Sequence, residues 1–167
     1  HFYGLQGKHL HQRMDKYGRL PSFYTVLLQS NCTVTKEVEV YFNDAKRMNL
    51  YRKDIYGNTA ISKMMEMDSI PMGTKRYIVD KSFTSECKGI APNDDSLLHL
   101  IVRHCIKPET LLNSEPICMI KSLLRKNIKI DHRNSDGITA LELLDQLYGD
   151  LLFCSDEVKR CLSKKSR

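Results

Sequence analysis

The sequence lacks most of the patterns that mark a membrane protein, a secreted disulfide scaffold or a common enzyme. No apolar run approaches the roughly 20 residues that a bilayer-spanning helix needs. Neither Cys-x-x-Cys nor His-Glu-x-x-His occurs, although the chain has 6 cysteines and 6 histidines. His99, His104, Cys105 and Cys118 match no standard zinc spacing. No Gly-x-Ser-x-Gly marks a nucleophile elbow. Gly4-Leu-Gln-Gly7-Lys8 lacks both the spacer and the hydroxyl residue of a phosphate loop. A secretory leader pattern and an initiator methionine are missing too, which leads us to expect an excised piece of an intracellular chain. Together these gaps lead to an expectation of no catalysis, no cofactor, no metal and no membrane.

What is present suits one domain over residues 1–167: hydrophobic residues make up 41% and charged ones 28%, enough to bury a core and still coat it. The net charge of +6 is unevenly placed. Residues 1–19 carry +3 and residues 157–167 carry +4, which leaves the middle at −1. A nucleic-acid binder spreads its basic charge along one face of the fold. Here the excess sits at the two ends, so contact of basic surfaces with nucleic acid or an acidic partner, as in a nuclear or chromatin-associated module, is the alternative reading. Cys32, Cys87, Cys105, Cys118, Cys154 and Cys161 read as free, mostly buried thiols of a reducing compartment.

The most informative stretch runs from Asn127 to Leu144. Leu123 and Leu124 close an apolar helical face just before it. Ile128 and Ile130 then alternate with polar neighbours, and Asp136-Gly137 supplies a turn whose glycine takes positive φ without a Cβ clash. Thr139 is placed to cap the next helix, whose apolar face begins with Ala140, Leu141, Leu143 and Leu144. Related segments recur. Asp15-Lys-Tyr-Gly18-Arg-Leu-Pro21 has the turn glycine, with a proline tolerated in a first helical turn. Asp54-Ile-Tyr-Gly57-Asn-Thr59-Ala-Ile61 repeats the pattern closely. Asn93-Asp94-Asp95-Ser96-Leu-Leu-His99-Leu keeps Ser96 as a cap but has Asp94 where the others have glycine. Aspartate is one of the few residues that visits the left-handed region at modest cost.

Gly137-Ile-Thr-Ala-Leu-Glu-Leu resembles the Gly-x-Thr-Pro-Leu-His core of an ankyrin repeat, and residues 123–131 resemble its Leu-Leu-x-x-Gly-Ala-x-x-Asn tail. The turn positions 18, 57, 94 and 137 are spaced by 39, 37 and 43 residues. The family period is about 33, so each unit carries an insertion. Such irregular repeats are similar to those of viral ankyrin proteins, IκB-like regulators and ankyrin regions of transcription factors. The resemblance implies an all-α solenoid of about four stacked helix–turn–helix units, at about 15–53, 54–90, 91–133 and 134–167. Helices are expected near 22–29 and 34–43, 60–68 and 74–81, 96–106 and 116–126, 139–147 and 156–162. Residues 1–14 belong either to an earlier repeat or to an N-terminal cap. Insertions are expected at 49–57, 82–92 and 106–114.

The same resemblance implies binding and not chemistry. In such a stack the turn tips and the outer sides of the first helices form a concave face for a partner protein. The residues this places there are Tyr17, Arg19, Ile55, Tyr56, Asn58, Asp136 and Ile138 at tips, with Glu66, Arg103 and His104 behind. Tyr17, Ile55 and Tyr56 stand out because tips are ordinarily polar. They form either an interface hot spot or packing between neighbouring tips. With Arg19 and Asn58 as polar rim, the expected partner is a protein segment carrying acidic residues around an apolar anchor. A rival surface is the basic set Arg103, His104, Lys107, Lys121, Arg125 and Lys126, which helical spacing spreads over different faces.

Overall fold

Hydroxyl side chains start three of the helices in the computed structural model, which describes residues 13–21, 23–24, 50–81, 90–107, 114–149 and 152–163. Helix α1 is Ala60–Glu66, α2 Met72–Lys81, α3 Leu97–His104, α4 Glu115–Arg125, α5 Ala140–Tyr148 and α6 Leu152–Ser163. The described residues contain no strand, so the fold class is all-α. Before α1, α3 and α5 stand Thr59, Ser96 and Thr139, each in extended backbone. Each hydroxyl accepts from the amide three residues on, and the side chains of Ser62, His99 and Glu142 reach back to the cap amide. These reciprocal boxes satisfy donors that a helix N-terminus otherwise leaves open. Helix α4 starts differently, with Pro116 in the first turn, where its missing N–H costs nothing.

The helices lie in two layers. Helices α1, α3 and α5 pack side by side in one, and α2, α4 and α6 in the other; α3 rests on α4 and α5 on α6. Between the layers runs one core that includes Ile61, Met64, Met65, Ile101, Met119 and Leu123, each with no measurable exposure. One helix pair could not cover its own apolar face; a neighbouring pair does so.

Helix ends are closed from outside. Helix α1 stops where Met67 turns extended, at φ −80 and ψ 113. The Lys75 ammonium, buried in α2, donates to the Met65 carbonyl at 2.8 Å. Lys126 donates to the Val79 and Asp80 carbonyls near the end of α2, at 2.9 and 2.6 Å. The Tyr148 hydroxyl donates to the Ile106 carbonyl beyond α3. Each takes up a carbonyl that the helix cannot pair itself, and a cation there also suits the negative end of the helix dipole. Just beyond α4, Asn127 has a φ of 55, which lets the chain turn out of the helix.

The expected helix boundaries hold to within about two residues for α1 to α5. The closing helix is longer than expected and opens at Leu152. Helices expected at 22–29 and 34–43 lie outside the described residues apart from Phe23 and Tyr24, which are helical, as do residues 1–12 and most of the insertions at 82–92 and 106–114.

Candidate functional site

The turn positions that the sequence singles out share one backbone conformation. Gly18, Asp94, Gly57 and Gly137 have φ of 75, 60, 80 and 75, so Asp94 does adopt the left-handed geometry expected of it. Around three of them the same device recurs. The Asp15 carboxylate accepts from the Tyr17 and Arg19 amides at 2.8 and 2.9 Å. Asp54 accepts from Tyr56 and Asn58, both at 2.9 Å, and the Asn134 amide oxygen from Asp136 and Ile138 at 3.1 and 3.2 Å. Each turn is thus pinned by an acidic or amide side chain three residues before its glycine. The third turn has Ala91 at that place and keeps the backbone bond common to all four turns, the Asp94 amide donating to the Ala91 carbonyl at 3.0 Å.

Neighbouring tips hold one another. The Ile55 amide donates to the Tyr17 carbonyl at 3.0 Å, and the Ser135 amide to the Asn93 carbonyl at 2.8 Å. Between them, the Thr59 hydroxyl donates to the Ile90 carbonyl at 2.9 Å. The last junction is polar and buried. Asp95 accepts from the Asn134 side-chain amide at 2.9 Å and from Arg103 at 3.2 Å. The Ser96 amide donates to Nδ1 of His99, which puts the ring proton on Nε2, 3.0 Å from the Ile138 carbonyl. Burial pushes the His99 pKa down, against the Ile138 carbonyl, and keeps the ring neutral at pH 7.

Among the described residues, the two most exposed large apolar side chains sit on the second tip. Ile55 is 65% and Tyr56 56% exposed, while Tyr17 lies half-buried with its ring centroid 6.1 Å from that of Tyr56. Arg19 sits inside this group. Its Nε is 2.9 Å from the Asp54 carboxylate, and its guanidinium stands 5.0 Å from the Tyr17 ring, 4.9 Å from Phe23 and 5.9 Å from Tyr56. Burial pushes the Asp54 carboxyl up, but the Asn58 amide, Arg19 and the Tyr56 amide outweigh it and hold it below its ordinary value. Exposed Arg13, Lys16, Arg52 and Lys53 flank the two tips in sequence.

Several sites expected from sequence are placed differently. Asn58 is buried and forms no rim, because its backbone closes the turn on Asp54. Arg19 is a clamp between tips, not a free rim cation. Ile138 packs half-buried against the core, and its carbonyl is taken by His99. Arg103 is committed to Asp95, Glu66 to Lys63 at 2.7 Å, and His104 is half-buried, its pKa lowered by burial against the opposing pull of Glu66. Asp136 is exposed at the last tip. The basic set divides as its spacing implied: Lys107 pairs with Asp68, Lys126 caps α2, and Lys121 and Arg125 face a cleft on the second layer. Among the described residues, no group of three or more His, Cys, Asp or Glu is arranged to hold a metal ion, and no helix is long and apolar enough to cross a membrane.

No family model and no curated protein matches the chain. The clamp of Arg19 on Asp54 was missed from sequence, although the recurrence of Asp15, Asp54 and Asn134 before the turn glycines was there to find.

Proposed function

We propose that this chain is an ankyrin-type repeat stack that binds a partner protein, without catalysis, through its first two turn tips. The observation that carries the reading is the pair Ile55 and Tyr56, exposed side by side on a tip whose backbone is pinned from both sides. The two layers of helices, the left-handed residue at each turn and the tip-to-tip hydrogen bonds support the repeat reading. An apolar tip on a rigid turn loses little conformational entropy when a partner covers it. Burying Ile55 and the Tyr56 ring against a partner contributes roughly 1–3 kcal/mol each. Tyr17 belongs to the platform beneath them, since its ring already packs on Tyr56 and under Arg19. The four flanking cations favour a segment with acidic residues around an apolar anchor. Binding by an intracellular regulatory scaffold is the class of activity this describes.

The experiment is comparative capture from one lysate with three baits: the unaltered chain, Ile55→Ser/Tyr56→Ser, and Lys121→Gln/Arg125→Gln. A partner retained by the first and third baits and lost by the second supports the reading, provided circular dichroism shows all three folded. A partner retained by the tip variant and lost by the cation variant places the interface on the second layer instead.

A further inference from the structure

The four turn tips stand in a row, and the two halves of the row carry opposite charge. Hydrogen bonds fix their order: the Ile55 amide reaches back to Tyr17, the Thr59 hydroxyl forward to Ile90, and the Ser135 amide back to Asn93. On the first two tips the carboxylates turn inward. Asp15 is taken up by the Tyr17 and Arg19 amides and the Tyr24 hydroxyl, and Asp54 by the Tyr56 and Asn58 amides and Arg19. What faces solvent there is Arg13, Lys16, Arg52 and Lys53, none of them paired with a carboxylate among the described residues. On the last two tips the arrangement is reversed. Asp131 and Asp136 are exposed, and the Asp94 side chain is 54% exposed. Of the cations nearby, Arg133 is held by Glu142 at 3.0 Å and Lys129 is set back toward α4, while His132 donates to the Asp94 carbonyl at 2.8 Å. Apolar surface lies in the middle of the row, with Ile55 and Tyr56 on the second tip and exposed Pro92 on the third.

We propose that the partner of this row is a second copy of the chain, turned end for end. The inference rests on the reading of the tips as a binding surface and names what binds there. A two-fold axis across the middle of the row sets the second tip of one copy against the third tip of the other, and the first against the fourth. Ile55 and Tyr56 then lie over the other copy's third tip, where Pro92 is the apolar residue. Arg52 and Lys53 meet Asp94, and Arg13 and Lys16 meet Asp131 and Asp136. Such an isologous contact uses each complementary pair twice and closes on itself as a dimer. Its apolar anchors sit at the centre and its charges at the rim, as in stable protein interfaces. Pairing in the same direction would set cation against cation and carboxylate against carboxylate, so charge selects the end-for-end arrangement.

The test follows the mass of the whole chain by analytical ultracentrifugation across concentration and salt. A dimer is expected, weakened by added salt because its rim is ionic. Arg13→Glu/Lys16→Glu makes the first tip acidic, and Asp131→Lys/Asp136→Lys makes the fourth basic; all four positions are exposed. Each variant alone should dimerise at least about 10-fold more weakly, because like charges then face one another. Mixed in equal amounts, the two should form a heterodimer close in strength to the native dimer, since both outer contacts again join opposite charges. Ile55→Ser/Tyr56→Ser should also weaken the dimer at least about 10-fold by removing its apolar centre. A chain that stays monomeric at about 100 μM would overturn the proposal. So would a dimer unmoved by both charge variants, or two folded charge variants that do not pair when mixed. A monomer that still loses a lysate partner through Ile55→Ser/Tyr56→Ser would overturn the second copy as occupant and leave the tip reading in place, with a different protein as partner.

Discussion

The packing of one tip on the next can be isolated by adding a single Cβ at each turn glycine. Gly18, Gly57 and Gly137 share φ of 75 to 80, so alanine meets the same backbone strain at each. That strain is roughly 1–2 kcal/mol, offset in part by about 0.4–1 kcal/mol from the stiffer unfolded chain. What differs is the surroundings. A Cβ on Gly137 meets nothing within 4 Å, and one on Gly18 meets Ile55 at an ordinary 3.7 Å. A Cβ on Gly57 comes within 3.2 Å of the Pro92 Cα, a backbone atom that cannot swing aside as a side chain would. Gly137→Ala should therefore cost about 1 kcal/mol. Gly57→Ala should cost about 1–3 kcal/mol more, because the Pro92 turn must be displaced. Asp94→Gly, at φ 60, supplies the control in the other direction. It should be neutral or stabilise by up to about 1 kcal/mol. Urea denaturation reads all four, with a common slope showing that the unfolding unit is unchanged. Equal losses at Gly57 and Gly137 would refute the close approach of the second tip to the third.

Two further outcomes follow from buried ionisable groups. Lys75 is 2% exposed and its pKa is depressed by burial, so the unfolded chain binds more protons below 10.5. The stability it contributes is complete above 10.5 and lost as pH falls through the folded-state value; urea midpoints of the native chain, measured against Lys75→Met, should thus rise toward alkaline pH. A difference that stays flat would show that Lys75 is hydrated. His99→Leu leaves the Ile138 carbonyl and the Ser96 amide without their partners, at a cost of about 2–4 kcal/mol. Because burial depresses the His99 pKa, the native advantage over His99→Leu should shrink as pH falls from 6.5 through the folded-state value, and an advantage that grows on acidification would contradict a neutral ring.

The amino-acid sequence by itself determined what depends on contacts within one turn. Ser96 and Thr139 cap α3 and α5 because a hydroxyl there finds the amide three residues on. Asp94 takes positive φ where the repeat pattern places it, since an aspartate tolerates what the backbone of that turn demands. The apolar periodicity that marks α3, α4 and α5 also points the right side chains inward. Only the tertiary structure decided which tip residues stay exposed. Arg19 meets Asp54 across 35 residues, Asn134 meets Asp95 across 39 and His99 meets Ile138 across 39. No local rule contains those pairings, yet they tie the Arg19 side chain and the Ile138 carbonyl into the fold.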